Sequence, residues 1–285
     1  MTTTTTTMQI RKISPHIGAE VTGVDLRRID AETARQLNQA ILDHTCMVFR
    51  DQNFTPEEFD HAVRIFGELM DQDHPKFSYP GLPYIQRYSN HNVDAGGAYI
   101  RSANRWHSDG SYRERPPSYT IMYAAEIPDK GGNTDVTNMR AAFRALPADL
   151  RKKLEGMKTV NVRAGSKTKV PVNPDNVRIM AQGGQVPNIH PWVRTIDGTG
   201  GEKSLWFDAA RVENIVGMDP EASQDFLLDL LDKTIRPEFT YSHAWRLNDM
   251  FMWDNRSTFH RANYDYDQTQ HRLMYHATFL GERPH

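Results

Sequence analysis

Met250-Phe251-Met252-Trp253-Asp254-Asn255-Arg256-Ser257-Thr258-Phe259-His260 is the stretch on which the fold turns. Four apolar residues run without a polar break and the turn-forming Asp254-Asn255-Arg256 follows. The chain then heads back toward a histidine, which reads as a buried strand, a turn and a return strand. Similar short runs rich in β-branched and aromatic residues recur at 46–50, 84–88, 118–126, 158–163, 192–196, 204–207, 238–243 and 273–280. Glycine turns such as Gly131-Gly132 and 198–201 separate them. These runs do not alternate with helices, which disfavours a parallel α/β sheet. The pattern predicts a mainly β fold with flanking helices (α+β) on a double-stranded β-helix, or jelly-roll, core.

Helices are expected at four places. Residues 31–43 put Ala34, Leu37 and Ile41 on one face, and Thr55-Pro56-Glu57-Glu58 is a capping box leading into Phe59, Val63 and Phe66. Residues 138–154 read as a helical pair broken near Pro147 and ended by Gly156. Asp219-Pro220 opens a last helix with Phe226, Leu227, Leu230 and Leu231 as its apolar stripe. Residues 163–188, rich in Lys, Gly, Pro and Asn, have the look of a lid-like insertion. Residues 1–9 read as a disordered lead, and 10–285 as one domain.

Bulk composition narrows the function. A net charge of −2, with Lys and Arg spread along 285 residues, lacks the basic stripe of a nucleic-acid binder. Cys46 is the single cysteine, so neither a disulfide framework nor a cysteine zinc site is available. No run approaches the roughly 20 apolar residues that cross a bilayer. Met1 and the threonines after it form no signal peptide, and the expected compartment is the cytoplasm.

His107-Ser108-Asp109 and the distant His260 supply the chemistry. With 12 histidines and 36 acidic residues, on the order of one or two His-x-acid triplets arise by chance, so the triplet alone says little. Its setting says more: Trp106 precedes it, Gly110-Ser111-Tyr112 follows, and Pro116-Pro117 breaks the chain before an apolar run. Two imidazoles and a carboxylate can occupy one face of an octahedral Fe(II) and leave the other face open. The pair is expected at the start of a strand, with side chains i and i+2 pointing the same way. The bland alternatives are a loop hydrogen bond for His107 and Asp109 and a satisfied core histidine for His260. Arg272, at the entry to the apolar Leu273-Met274-Tyr275, is costly there unless an anion pairs with it. Thr134 can lend a hydroxyl to the same anion.

On these residues the chain resembles the taurine dioxygenase and 2,4-dichlorophenoxyacetate dioxygenase family of Fe(II)/2-oxoglutarate enzymes, from about Ile10 to His285. Residues 17–26, Val48-Phe49-Arg50-Asp51-Gln52 and Phe66-Gly67-Glu68-Leu69 are similar to its N-terminal segments. Trp106-His107-Ser108-Asp109 and Gly131-Gly132-Asn133-Thr134 look like its first iron motif and its 2-oxoglutarate threonine. Trp253-Asp254-Asn255-Arg256 through His260, with Arg272, look like the second half of the site. The resemblance implies that His107, Asp109 and His260 bind Fe(II), and that Arg272 and Thr134 hold the far carboxylate of 2-oxoglutarate. O₂ is then the oxidant, succinate and CO₂ are products, and an aliphatic C–H of a small organic acid is hydroxylated. Related halogenases lack the carboxylate that Asp109 supplies here. A homodimer or homotetramer is also implied.

The primary substrate is less legible. Family members acting on sulfonates or aryloxy acids carry a second arginine four residues after the first, where this chain has His276. Arg211, Arg105 and His74 are the candidate replacements, with Arg211 preferred, while Phe77, Gly110 and Tyr112 are expected to line the substrate side. An amino-acid-like substrate in a tailoring pathway is the second reading. A zinc hydrolase with the same three ligands and a silent jelly-roll binding protein are the rivals from other classes. The hydrolase has no use for Arg272 and Thr134, and a complete triad with its clamp argues against a silent protein.

Overall fold

Met250–Asp254 is buried at every position because it lies inside the largest sheet of the computed structural model, which describes residues 7–72, 75–93, 102–163 and 186–285. That sheet has eight strands. In spatial order they are β1 (Gln9–Lys12), β2 (Ala19–Thr22), β3 (Cys46–Phe49), β14 (Met250–Asp254), β6 (Tyr119–Glu126), β16 (Leu273–Thr278), β5 (Leu82–Ser89) and β4 (Ser78–Tyr79). β14 pairs antiparallel with β3 on one side and β6 on the other. Its side chains then divide by the two-residue period of a strand. Met250 and Met252 pack into a core with Phe49, Phe59 and Tyr123, and Phe251 and Trp253 into one with Val48, Met122 and Met274.

The first of these cores is roofed by α1 (Ala31–His44) and α2 (Pro56–Val63), whose Leu37, Ile41, Phe59 and Val63 point into it. The capping box of α2 forms as its sequence predicts. Glu58 N–H donates to Thr55 Oγ1 at 3.2 Å, and Thr55 N–H donates to the Glu58 carboxylate at 2.9 Å.

The facing sheet is smaller: β13 (Thr240–His243), β7 (Thr134–Asn138) and β15 (Thr258–Ala262), all antiparallel. The quoted stretch therefore crosses between the layers, leaving the large sheet on β14 and entering the small one on β15. Asp254 makes the corner. Its carboxylate accepts from Arg256 N–H at 2.9 Å and from Ser257 Oγ at 3.0 Å, and its carbonyl accepts from Thr258 Oγ1 at 2.8 Å.

Two satellite sheets complete the jelly roll: β12 (Val212–Ile215), β8 (Lys158–Asn161) and β9 (Asn188–Pro191), and β10 (Val193–Thr195) with β11 (Lys203–Leu205). They pack on α3 (Met139–Ala145), α4 (Ala148–Glu155) and α5 (Pro220–Thr234) around Trp192, Phe207 and Leu227. The helix pair breaks at Pro147, the N-cap of α4, and ends at Gly156.

The structure corrects several boundaries. β1 begins at Gln9, inside the stretch read as a lead. β1, β2, β4, β7, β9 and β12 are strands that composition alone does not announce, each five residues or fewer. β13 starts at Thr240 because Pro237–Phe239 forms a 3-10 turn. The His107–Asp109 pair does not open a strand. His107 makes one isolated bridge to His260, then the chain turns at Gly110 (φ +56), and β6 begins only at Tyr119. Residues 164–185, most of the segment read as a lid, lie outside the described residues.

Candidate active site

His107, Asp109 and His260 meet at the mouth between the two sheets, one ligating atom from each lying within 4.8 Å of the others. His260 arrives on β15, whose register places it opposite Val136 of β7. His107 is held against it by reciprocal backbone hydrogen bonds of 3.0 and 2.9 Å. The two imidazole centroids stand 4.1 Å apart, and Trp253 packs 4.6 Å from the far side of His260. Asp109 reaches between them, with one carboxylate oxygen 3.5 Å from His107 Nε2 and the other 3.5 Å from His260 Nε2.

The surrounding bonds fix these groups for metal binding. His107 Nδ1 lies 2.7 Å from the Arg105 carbonyl, so that nitrogen carries the proton and Nε2 keeps its lone pair for the site. Thr120 Oγ1 donates to Asp109 at 2.6 Å, and Asn255 Nδ2 donates to Thr120 at 2.8 Å, a relay that sets the carboxylate plane. Ser108 Oγ and Trp206 Nε1 both donate to the Asn255 carbonyl, at 2.7 and 3.0 Å. Burial opposes the charge on Asp109, but the two imidazoles outweigh it and hold the carboxyl well below its usual range. Burial also depresses His260, reinforced by His107, whereas at His107 the Asp109 carboxylate overcomes burial and raises the imidazole. This is a preformed anionic seat for a divalent cation. Two imidazoles and one carboxylate suit Fe(II) and leave positions open.

A cavity of about 260 Å³ opens on this face. Arg272 and Thr134 line one part of it. Burial pushes the Arg272 guanidinium below its ordinary value, and only the Tyr266 and Tyr264 hydroxyls oppose that shift. No carboxylate pairs with it among the described residues. Thr134, on β7, is buried, and its Oγ1 accepts from Trp245 Nε1 at 3.1 Å. Gly132 lets the arginine lie close, since a Cβ there would stand 3.4 Å from Arg272 Nε and 3.1 Å from Tyr266 Cδ1.

Of the substrate-side residues singled out in the sequence, Phe77, Arg105, Gly110, Tyr112, Arg211 and His276 all line the same cavity. His74 lies outside the described residues. His276 is buried and stacks on Tyr88 with centroids 4.3 Å apart. Arg211 is partly engaged. It donates to the Arg163 carbonyl, lies 5.5 Å over Tyr112, and its Nε is 3.8 Å from Asp208 Oδ2.

Sequence reasoning missed Asp208, Thr120, Asn255 as a structural anchor, and Trp245. Asn255 sat in a recognised motif without a role. The others carry no local signal, because their importance comes from the chain packed against them.

Three residues that could hold a metal and an arginine with no carboxylate partner among the described residues thus line one cavity of a jelly roll. The family model described as taurine catabolism dioxygenase TauD, TfdA family, matches residues 9–278, and the chain belongs to that family. It is 30% identical to the alpha-ketoglutarate-dependent 2,4-dichlorophenoxyacetate dioxygenase of Cupriavidus pinatubonensis, covering 95% of this chain and 96% of that protein. It is also 30% identical to an alkylsulfatase of Acinetobacter baylyi, covering 96% of this chain and 86% of that one. Among solved structures, AAD-2 in complex with Mn(II) and N-oxalylglycine superposes with a TM-score of 0.80 at 28% identity, covering 98% and 99% of the two chains. The protein is an alpha-ketoglutarate-dependent dioxygenase, an oxidoreductase that uses Fe(II), 2-oxoglutarate and O₂.

Proposed function

We propose that His107, Asp109 and His260 hold the Fe(II), that Arg272 and Thr134 seat the distal carboxylate of 2-oxoglutarate, and that a small organic acid fills the rest of the cavity. The observation that carries this reading is Arg272, a half-buried guanidinium with no carboxylate partner among the described residues, lining the same cavity as the triad. Bound iron supplies O₂ activation. The chain's own residues orient the reactants: the Arg105 carbonyl and Thr120 fix the ligand orientations, and Trp253 and Phe77 line the cavity beside them. The net reaction is 2-oxoglutarate plus O₂ plus R–H giving succinate, CO₂ and R–OH.

Anion recognition of the primary substrate falls to Arg211 in this reading, since His276 charges only near or below neutral pH and lacks a planar fork. The relatives named for an aryloxyacetate and for alkyl sulfates support an organic anion as the class. One observation favours a second reading, an amino-acid-like substrate. Asp208 is a buried carboxylate on the cavity wall; its Oδ1 accepts from Ala210 N–H at 2.8 Å, and its Oδ2 accepts no hydrogen bond among the described residues. A substrate ammonium fits there. We also infer a cytoplasmic location, the default for this composition, and, on the family resemblance, a homodimer or homotetramer.

The test is succinate release from purified protein with Fe(II), 2-oxoglutarate and air over a panel of aryloxyacetates, alkyl sulfates, sulfonates and amino acids. Release that rises with one class and stops without O₂, without iron and in Arg272→Ala is the expected result. Turnover of a panel compound with zinc alone, independent of O₂, would sink it.

A further inference from the structure

Thr134 makes a contact that the co-substrate reading does not require. A hydroxyl has one proton to give and two lone pairs to offer, whereas an indole N–H is a donor only. Trp245 Nε1 donates to Thr134 Oγ1 at 3.1 Å, so one lone pair is occupied and the oxygen is the acceptor in that bond. The hydroxyl proton is thereby turned elsewhere. Thr134 is 3% exposed, its side chain faces the cavity, and among the described residues its proton has no acceptor. A buried donor without a partner is costly, and the cavity that it faces also holds the guanidinium of Arg272.

The indole is in turn fixed by its own surroundings. Trp245 follows β13 directly, and His243 of that strand is the register partner of Thr134. The His243 ring meets Trp245 edge-on at 4.5 Å and 76°, and Phe251 stands 6.0 Å away at 78°. His243 is anchored by Tyr241 Oη at 3.1 Å from its Nδ1, and the Asp249 carboxylate lies 3.4 Å from its Nε2. The ring that points at Thr134 is therefore packed in one orientation.

We infer that Trp245 is a positioning residue for the co-substrate. Its N–H occupies the acceptor side of Thr134, so that the Thr134 proton is presented to the distal carboxylate beside Arg272. The inference rests on Thr134 seating that carboxylate, and the experiment separates the two. The probe is N-oxalylglycine, titrated calorimetrically into Mn(II)-loaded protein, so that no turnover is needed.

Thr134→Val should weaken binding about tenfold, the usual size of a hydrogen bond to a charged group. Trp245→Phe should weaken it three- to tenfold in the parent and less than twofold in the Thr134→Val background, because the indole acts only through the hydroxyl. Mn(II) affinity should stay unchanged throughout. Replacing Trp245 by β-(3-benzothienyl)alanine keeps the bicyclic shape and removes only the N–H, and it should reproduce the loss if Trp245→Phe fails to fold. Equal losses in both backgrounds, or no loss with the sulfur isostere, would overturn the role of Trp245 alone. A harmless Thr134→Val would overturn the seating by Thr134 and the relay with it.

Discussion

His107 and His260 are tied together by their backbones. Each donates its N–H to the other's carbonyl, at 3.0 and 2.9 Å, although more than half of the chain separates them. Backbone pairing of the His107 segment with β15 thus brings the two imidazoles together. Removing Asp109, which joins the two rings, should leave that registration intact. In Asp109→Ala, Mn(II) affinity by electron paramagnetic resonance is expected to fall more than about 100-fold, beyond the usual cost of losing an outer-shell partner. Near-ultraviolet circular dichroism should be unchanged; a lost tertiary signal would contradict a preformed face.

Thr120 gives a finer test of the same site. It is fully buried and donates to Asp109 at 2.6 Å while accepting from Asn255. Thr120→Val keeps the shape but leaves Asn255 Nδ2 without an acceptor and the carboxylate without its donor. The expected loss of Mn(II) affinity is about 10- to 100-fold. Stability should also fall by about 1–3 kcal/mol in urea denaturation. Unaltered metal affinity would reduce Thr120 to a packing role.

These two cases show where the sequence is readable. The buried run 250–254 and the helix caps at Thr55 and Asp219 are legible because local periodicity and local hydrogen bonds decide them. His107, Asp109 and His260 stand out through their motif context and the family resemblance, and Arg272 because a charge at the entry to an apolar run needs a partner; that they hold iron and 2-oxoglutarate is the proposal. Thr120 and Trp245 do not stand out, since threonine and tryptophan are ordinary residues near a strand until the facing chain is known. The placement of His107 before a strand was wrong for a similar reason: a single bridge to β15 holds it, and pairing across layers leaves no period in the sequence.

Arg211 is expected to act on the primary substrate only. Its donor to the Arg163 carbonyl and its distance of 3.8 Å from Asp208 leave the guanidinium on the cavity wall beside Tyr112. Arg211→Gln should raise the KM for the acid found in the succinate panel at least tenfold, with the KM for 2-oxoglutarate unchanged. A rise in both would place the arginine in the co-substrate seat instead, and no rise in either would make it a support for residue 163.

Acid should destabilise this protein through buried histidines. Burial holds His190 below the ordinary histidine value of 6.5, against the opposing hydrogen bond to the Arg113 carbonyl, and burial does the same at His243 against Asp249. The unfolded chain therefore takes up protons that the fold refuses once pH drops below about 6.5, and stability declines from there toward the lower folded value. Melting temperatures of metal-free protein should fall between pH 7 and pH 5. His190→Gln, which keeps a donor for the carbonyl, should flatten part of that slope; an unchanged slope would mean that other groups carry it.

In the proposed co-substrate seat, Gly132 lies against Arg272. Its φ of +70° is a left-handed conformation that alanine adopts only with strain, costing on the order of 1–2 kcal/mol. A Cβ would also press on Tyr266 at 3.1 Å, tighter than most side-chain contacts, and would reach Arg272 Nε at 3.4 Å, the edge of ordinary contact. The tyrosine ring is buried and has little room to give, so the backbone at 132 has to shift beside the arginine. Gly132→Ala should accordingly weaken N-oxalylglycine binding to Mn(II)-loaded protein about tenfold or more, because the bidentate geometry of a guanidinium–carboxylate pair tolerates little displacement. The metal ligands lie on other segments, so Mn(II) affinity should be retained. Equal weakening of metal and N-oxalylglycine would point to general loosening of the sheet, whereas selective loss of N-oxalylglycine fits an arginine whose position depends on the missing side chain at 132.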